Sequence, residues 1–189
     1  TDLAAARADQ PALQTSSNDA DAMVALRARI ALAGADATAV EAALAAALKS
    51  ADPQVVIFAL GNIGAPVSRD QQRALAATAS THADPRVRLA AARALAYAGD
   101  EANALAVWRE LSKHPVAGLT ASAELARLGD SEGQAALSLA SHRRLDTETR
   151  LLAFRLHRTV GRVTPGLIVA LADWNGEARI FAADVIAAL

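Results

Sequence analysis

The run Ala83-Asp84-Pro85-Arg86-Val87-Arg88-Leu89-Ala90-Ala91-Ala92-Arg93-Ala94-Leu95 decides how the rest of the chain is read. Its opening has the chemistry of a helix start. The Asp84 carboxylate can accept hydrogen bonds from the free N–H groups of a first turn. Pro85 falls at the first helical position, where its missing N–H costs nothing. Gly99 then ends the helix, because glycine adopts the left-handed cap without a Cβ penalty.

The same layout recurs outward in both directions. Asp52-Pro53 opens a helix with Val55, Ala59 and Ile63, and His114-Pro115 opens one with Leu119, Ala121 and Leu125 that ends at Gly129. Asp146 opens one with Leu151 and Ala153 that ends at Gly161, and Asn175 one with Ile180, Ala182 and Ile186. A weaker copy runs from Asn18 to Gly34. The starts lie 34, 32, 30, 32 and 29 residues apart. Seven residues after each start stands an alanine: Ala25, Ala59, Ala91, Ala121, Ala153 and Ala182. Five residues after each start stands a large apolar residue: Met23, Ile57, Leu89, Leu119, Leu151 and Ile180. Agreement at both columns marks a true repeat, and repeats of this length signal stacked supersecondary units.

Second amphipathic segments lie between these helices, at about 37–49, 68–80, 100–113, 131–142 and 163–173. Residues 2–9 read as the first helix of the first pair, and residues 10–17, Gln-Pro-Ala-Leu-Gln-Thr-Ser-Ser, as a loop. Composition agrees with helix pairs. Hydrophobic residues make up 53 % of the 189 residues but aromatics only 3 %, and the excess is alanine and leucine, which suit close-packed helices rather than sheets. The expected fold is all-α: an α-solenoid of about six helix pairs in one domain, with repeats at about 1–34, 35–66, 67–99, 100–129, 130–161 and 162–189.

The pattern Asp-Pro-x-Val-Arg-x-x-Ala-x-x-x-Leu, held by Asp84 to Leu95, resembles the second helix of a HEAT repeat. The short period is similar to that of the bacterial HEAT-like repeats named after phycobilisome lyase subunits. The likeness is strong at 51–99 and 146–189 and weak at 1–50; in the 114–130 copy His114 replaces the Asp and Gly118 the Arg. This resemblance implies that second helices line an inner, concave face and first helices an outer layer. It also implies that Arg88, Arg150 and Arg179, four residues after their starts, pair with Asp84 and Asp146 at neighbouring turns. Such repeats serve many unrelated roles, so the likeness speaks for fold more than for function.

Candidate contact residues follow from the helical register. Positions two, nine and thirteen after each start oppose the buried stripe. They include Gln54 and Glu148 and a basic series with one aromatic: Arg86, Arg93, Tyr97, Arg127 and Arg155. On a concave face these five would form a stripe for an acidic peptide, a phosphate-bearing ligand or a carboxylate-rich protein. The expected function is therefore a protein-interaction or scaffold module whose partner is another protein or a peptide. A greasy last helix, with Ile180, Phe181, Val185, Ile186 and Leu189, offers a further contact. Two alternatives stay open. Relatives of these repeats include bilin lyase subunits and a HEAT-like DNA glycosylase class, so a cofactor- or nucleic-acid-linked enzyme is one. A structural segment of a larger protein is the other, since the chain begins at Thr1 without Met.

Several classes are disfavoured. Net charge is −1, against the positive excess of nucleic-acid binders, although residues 142–162 hold Arg143, Arg144, Arg150, Arg155, Arg158 and Arg162. Without cysteine there are no disulfides or thiolate ligands. His82, His114 and His142 recur one repeat apart, too far to converge on one metal ion, and His157 is expected to be half-buried in the register of Leu95 and Ile63. Trp108 and Trp174 read as packing residues, with Trp174 the more exposed. No phosphate loop, nucleophile elbow or zinc-helix motif stands out, so no catalytic residue, cofactor or metal is assigned. No apolar run reaches the ~18–20 residues of a membrane span, and the compartment, cytoplasmic or periplasmic, stays open.

Overall fold

In the computed structural model, residues 10–34, 36–63, 68–142 and 145–189 are described. They form helices joined by short turns and contain no strand. The first helix expected at 2–9 lies outside the described residues. Contacts group the chain into two compact units, Thr1–Glu101 and Ala102–Leu189. Among the described residues no helix is long and apolar enough to cross a membrane.

The first unit holds α1 (Gln10–Ser16), α2 (Ala22–Ala33), α3 (Ala37–Ala47), α4 (Pro53–Gly61), α5 (Arg69–Thr81) and α6 (Pro85–Tyr97). Within it α2 packs on α1, α3 and α4, and α6 packs on α4 and α5. Next come α7 (Glu101–Leu111), α8 (Gly118–Arg127), α9 (Ser131–Ala140), α10 (Thr147–Val160), α11 (Pro165–Ala170) and α12 (Gly176–Ala187). In the second unit α8 packs on α9 and α10, and α12 on α10 and α11. Thus α2, α4 and α6 are serial neighbours in one unit, and α8, α10 and α12 in the other.

Local chemistry sets the helix ends. Asp52 and Asp84 accept from Gln54 N and Arg86 N, each at 2.8 Å, with Pro53 and Pro85 in the first turn. Asp146 and Asn175 cap α10 and α12 in the same way. Ser68 and Gln71 form a reciprocal capping box on α5. At the other end, Gly99 and Gly129 take φ of 88° and 92°, and the following N–H groups of Asp100 and Asp130 close on Leu95 O and Leu125 O. This left-handed closure satisfies carbonyls the helix would leave bare.

The alanine column is the deepest part of the packing. Ala59, Ala91, Ala121, Ala153 and Ala182 are all 0 % exposed, and Ala25 is 4 % exposed.

Three local expectations are corrected. Residues 10–16 form α1 rather than a loop, because proline is tolerated in a first turn and Gln, Ala and Leu are good helix formers. The first copy is capped by Asp21, which accepts from Met23 N and Val24 N, not by Asn18. The three-residue shift brings Leu26 and Ala28, both 4 % exposed, to the two columns; a slip of three keeps much of the same helix face, so Met23 and Ala25 had also fitted. Regular helix in the fourth copy begins at Gly118 rather than Pro115. His114 still marks the start: its Nδ1 accepts from Val116 N and Ala117 N at 3.2 and 3.4 Å, the donors an Asp cap would take.

Candidate interaction surface

On α6 the spacing of Arg86, Arg93 and Tyr97 places them along one face. Arg86 is exposed, and its guanidinium grips the capping Asp84 at 2.7 Å. That contact holds the Asp84 carboxyl below its usual range. Asp84 therefore fastens both the helix start and the first arginine of the stripe. Arg93 is half-buried and already engaged in an interaction of its own. Tyr97, at the last turn, is 83 % exposed.

In the second unit Arg127 ends α8 and Arg155 lies midway along α10, both exposed. Arg127 Nε binds Glu124 Oε2 at 3.0 Å, and Glu124 is itself buried, so this arginine neutralises a carboxylate that would otherwise stand in the packing. The five expected contact residues are thus largely solvent-facing, with Arg93 the most covered. Arg86, Arg93 and Arg127 are already partnered, which leaves Tyr97 and Arg155 as the residues best placed to meet a ligand.

The expected roles of Arg150 and Arg179 change. Arg150 does not pair with Asp146; it is 2 % exposed and forms an ion pair with buried Asp173, in the turn before α12. Asp173 also receives Asn175 N at 2.8 Å. Arg179 bonds backbone oxygens, Asp173 O at 2.7 Å and Trp174 O at 3.2 Å. Arg88 Nε donates to Ala79 O at 2.9 Å. Arg150 and Arg179 thus tie the turn before α12 through Asp173 and two carbonyls, and Arg88 reaches back to α5. In the basic segment, Arg143 and Arg144 lie outside the described residues, and Arg162 is tied to Ala126 O at 2.6 Å. Arg155 and Arg158 remain exposed there.

His157 is fully buried rather than half-buried. Its Nε2 lies 3.0 Å from Ser141 Oγ and its Nδ1 3.1 Å from Thr164 Oγ1. Ser141 Oγ sends its only hydrogen to Leu137 O at 2.9 Å, so Nε2 must be the donor and Nδ1 the acceptor. The proton faces the serine, the reverse of what activating a nucleophile requires. Burial pushes the imidazole down to about 4, so it stays neutral at ordinary pH. It acts as a tie between α9, α10 and the start of α11. Sequence reading missed this cluster because its hydroxyl partners lie on other elements, at separations no local spacing reveals.

His82 Nδ1 accepts Asp84 N at 3.0 Å, which gives it, like His114, a turn-building task. Among the described residues no group of three His, Asp or Glu side chains is placed to hold a metal. Trp108 is fully buried and Trp174 is 73 % exposed. An open cleft of about 340 Å³ lies between α3 and α5, lined by Leu44, Leu48, Ile63 and Ala74 together with Glu41 and Asp70.

Comparison of the chain with protein-family models, curated protein sequences and solved structures gives no match.

Proposed function

We propose that this chain is a HEAT-like α-solenoid serving as a protein-interaction scaffold, with an acidic protein or peptide segment as its partner. Three features support the reading: the recurrent capped helices, the serial contacts of second helices within each unit, and the opposition of two helix faces. The last carries it. Arg86, Tyr97, Arg127 and Arg155 face solvent while the alanines on the opposite side are 0 % exposed at Ala91, Ala121 and Ala153. A rigid helix face bearing arginines and a tyrosine offers charge-assisted hydrogen bonds and a low-entropy aromatic contact. The proposal applies to the α6 portion and to the α8–α10 portion separately.

The test uses residues whose removal leaves the packing intact. Tyr97→Ala and Arg155→Glu are suitable; reversal of Arg127 is not, because it would strand a second acid beside buried Glu124. Affinity capture from the native extract, with quantitative mass spectrometry, should show recovery of a specific partner falling about tenfold or more with at least one variant. Equal recovery by wild type and both variants would overturn the reading.

A further inference from the structure

The exposed sides of α10 and α12 carry a graded series of residues rather than a uniform stripe. The two helices run side by side with their starts level. Arg150, in the first turn of α10, pairs with Asp173 in the turn before α12, and the rings of Phe154 and Phe181 stack with centroids 6.3 Å apart. Residues equally far from the caps Asp146 and Asn175 therefore form rows across the pair. At about 100° per residue, positions two, six and nine after each cap turn away from the alanines at position seven, and those alanines, Ala153 and Ala182, are 0 % exposed. The first row is acidic: Glu148 and Glu177, both exposed. The second is apolar: Leu152, 40 % exposed, and Phe181, half-buried. The third holds Arg155 and Asp184, both exposed, and exposed Arg158 follows Arg155 one turn on. Charge thus runs from −2 in the first row to +1 at the far end, where two bases stand against one acid. Among the described residues none of these five charges is held in an ion pair.

We propose that this face takes a short segment of a partner protein that presents a basic, an apolar and an acidic residue in that order. This rests on the reading of the chain as an interaction scaffold and specifies the partner's chemistry on α10 and α12. The basic residue of the segment meets Glu148 and Glu177, which stand on neighbouring helices about 8–10 Å apart. Its apolar side chain covers Leu152 and the edge of Phe181, which is already fixed against Phe154. Its carboxylate meets Arg155 and Arg158 through charge-assisted hydrogen bonds. From the first row to the third α10 rises about 10 Å, a distance an extended segment spans in about three residues. A segment of acids alone would set like charge against Glu148 and Glu177, and a segment of bases alone would do so against Arg155 and Arg158. Opposite charges at the two ends also fix the direction in which the segment lies. Nucleic acid fits less well, because a continuous line of phosphates would run over the acidic row.

A random linear peptide library displayed on phage, panned against the whole chain, tests this. Wild type should enrich peptides in which a Lys or Arg and an Asp or Glu flank an apolar residue about three residues apart. With Glu148→Gln and Glu177→Gln together, the selected peptides should lose the basic residue and keep the acid. With Arg155→Gln and Arg158→Gln together, they should lose the acid and keep the base. A peptide selected on wild type should bind Leu152→Ala about fivefold or more weakly by fluorescence anisotropy, with helicity by circular dichroism unchanged. Selection of uniformly acidic peptides by wild type, or basic residues that persist after both glutamates are replaced, would overturn the ordered segment and leave the scaffold reading in place. So would a library from which no common sequence emerges. The scaffold reading fails by a separate result, equal recovery of partner from extract by wild type, Tyr97→Ala and Arg155→Glu.

Discussion

Arg150 carries a guanidinium into the second unit with Asp173 to meet it, and both are nearly inaccessible to water. Such a pair contributes little over an apolar replacement, but breaking it strands a buried charge. Asp173→Ala should therefore cost about 3–5 kcal/mol in urea unfolding, while Arg150→Met combined with Asp173→Leu should recover most of that loss. His157 has a different signature. Its folded pKa is lowered from 6.5 to about 4, so the unfolded chain takes up a proton first as pH falls. Stability from the neutral tie is complete above pH 6.5, is lost as pH drops toward 4, and levels off below that, a decline of about 3 kcal/mol. Unfolding curves of wild type and His157→Gln between pH 7 and 4 should converge toward the acid end; a constant gap would refute this origin.

The caps of individual helices were legible because they depend on residues two or three positions away. Asp52, Asp84, Asp146 and Asn175 were identified as helix starts from sequence, and each accepts first-turn N–H groups. Asp84→Ala should lower stability by about 1 kcal/mol and also release Arg86. The start at Asn18 was misplaced by three residues, because Asn18, Asp19 and Asp21 all satisfy the same local rule. Gly133 illustrates what local rules miss altogether. In an isolated helix, replacing glycine with alanine is stabilising. Here a Cβ at Gly133 would lie 2.6 Å from Ser122 O and 2.7 Å from Ala126 N, backbone atoms of α8 that cannot move aside cheaply. Gly133→Ala should destabilise by about 1–3 kcal/mol, visible as a fall in Tm. A rise in Tm would mean that α8 and α9 are not in such close contact.

Across the molecule the two repeat columns bury unequally, and stability should follow burial. Leu89 is 6 % exposed and Ile180 65 % exposed, although they hold the same repeat position. Leu89→Ala should cost about 2–5 kcal/mol and Ile180→Ala less than about 1 kcal/mol in denaturant unfolding. Equal costs would show that repeat position, not local coverage, sets the energetics. The candidate surface follows the same logic at larger scale. Helical periodicity identified Arg86, Arg93, Tyr97, Arg127 and Arg155 as outward-facing from their register; four are exposed and Arg93 is half-buried. Which arginines were already occupied was only partly legible: Glu124 stands three residues before Arg127 on α8, a local pair, whereas Asp173 reaches Arg150 from the turn before α12.

From the sequence alone came the helical class, the roughly 30-residue recurrence of helix starts, most helix boundaries and the exposure of Arg86, Tyr97, Arg127 and Arg155. These depend on hydrogen-bond donors, φ preferences and a 3.6-residue period, all of which act over a few neighbouring residues. Tertiary structure decided the Arg150–Asp173 pair, the neutral His157 tie, the Gly133 contact and the division into two units. Those depend on which elements come together in space, and burial turns a modest preference into a costly requirement only where water is excluded.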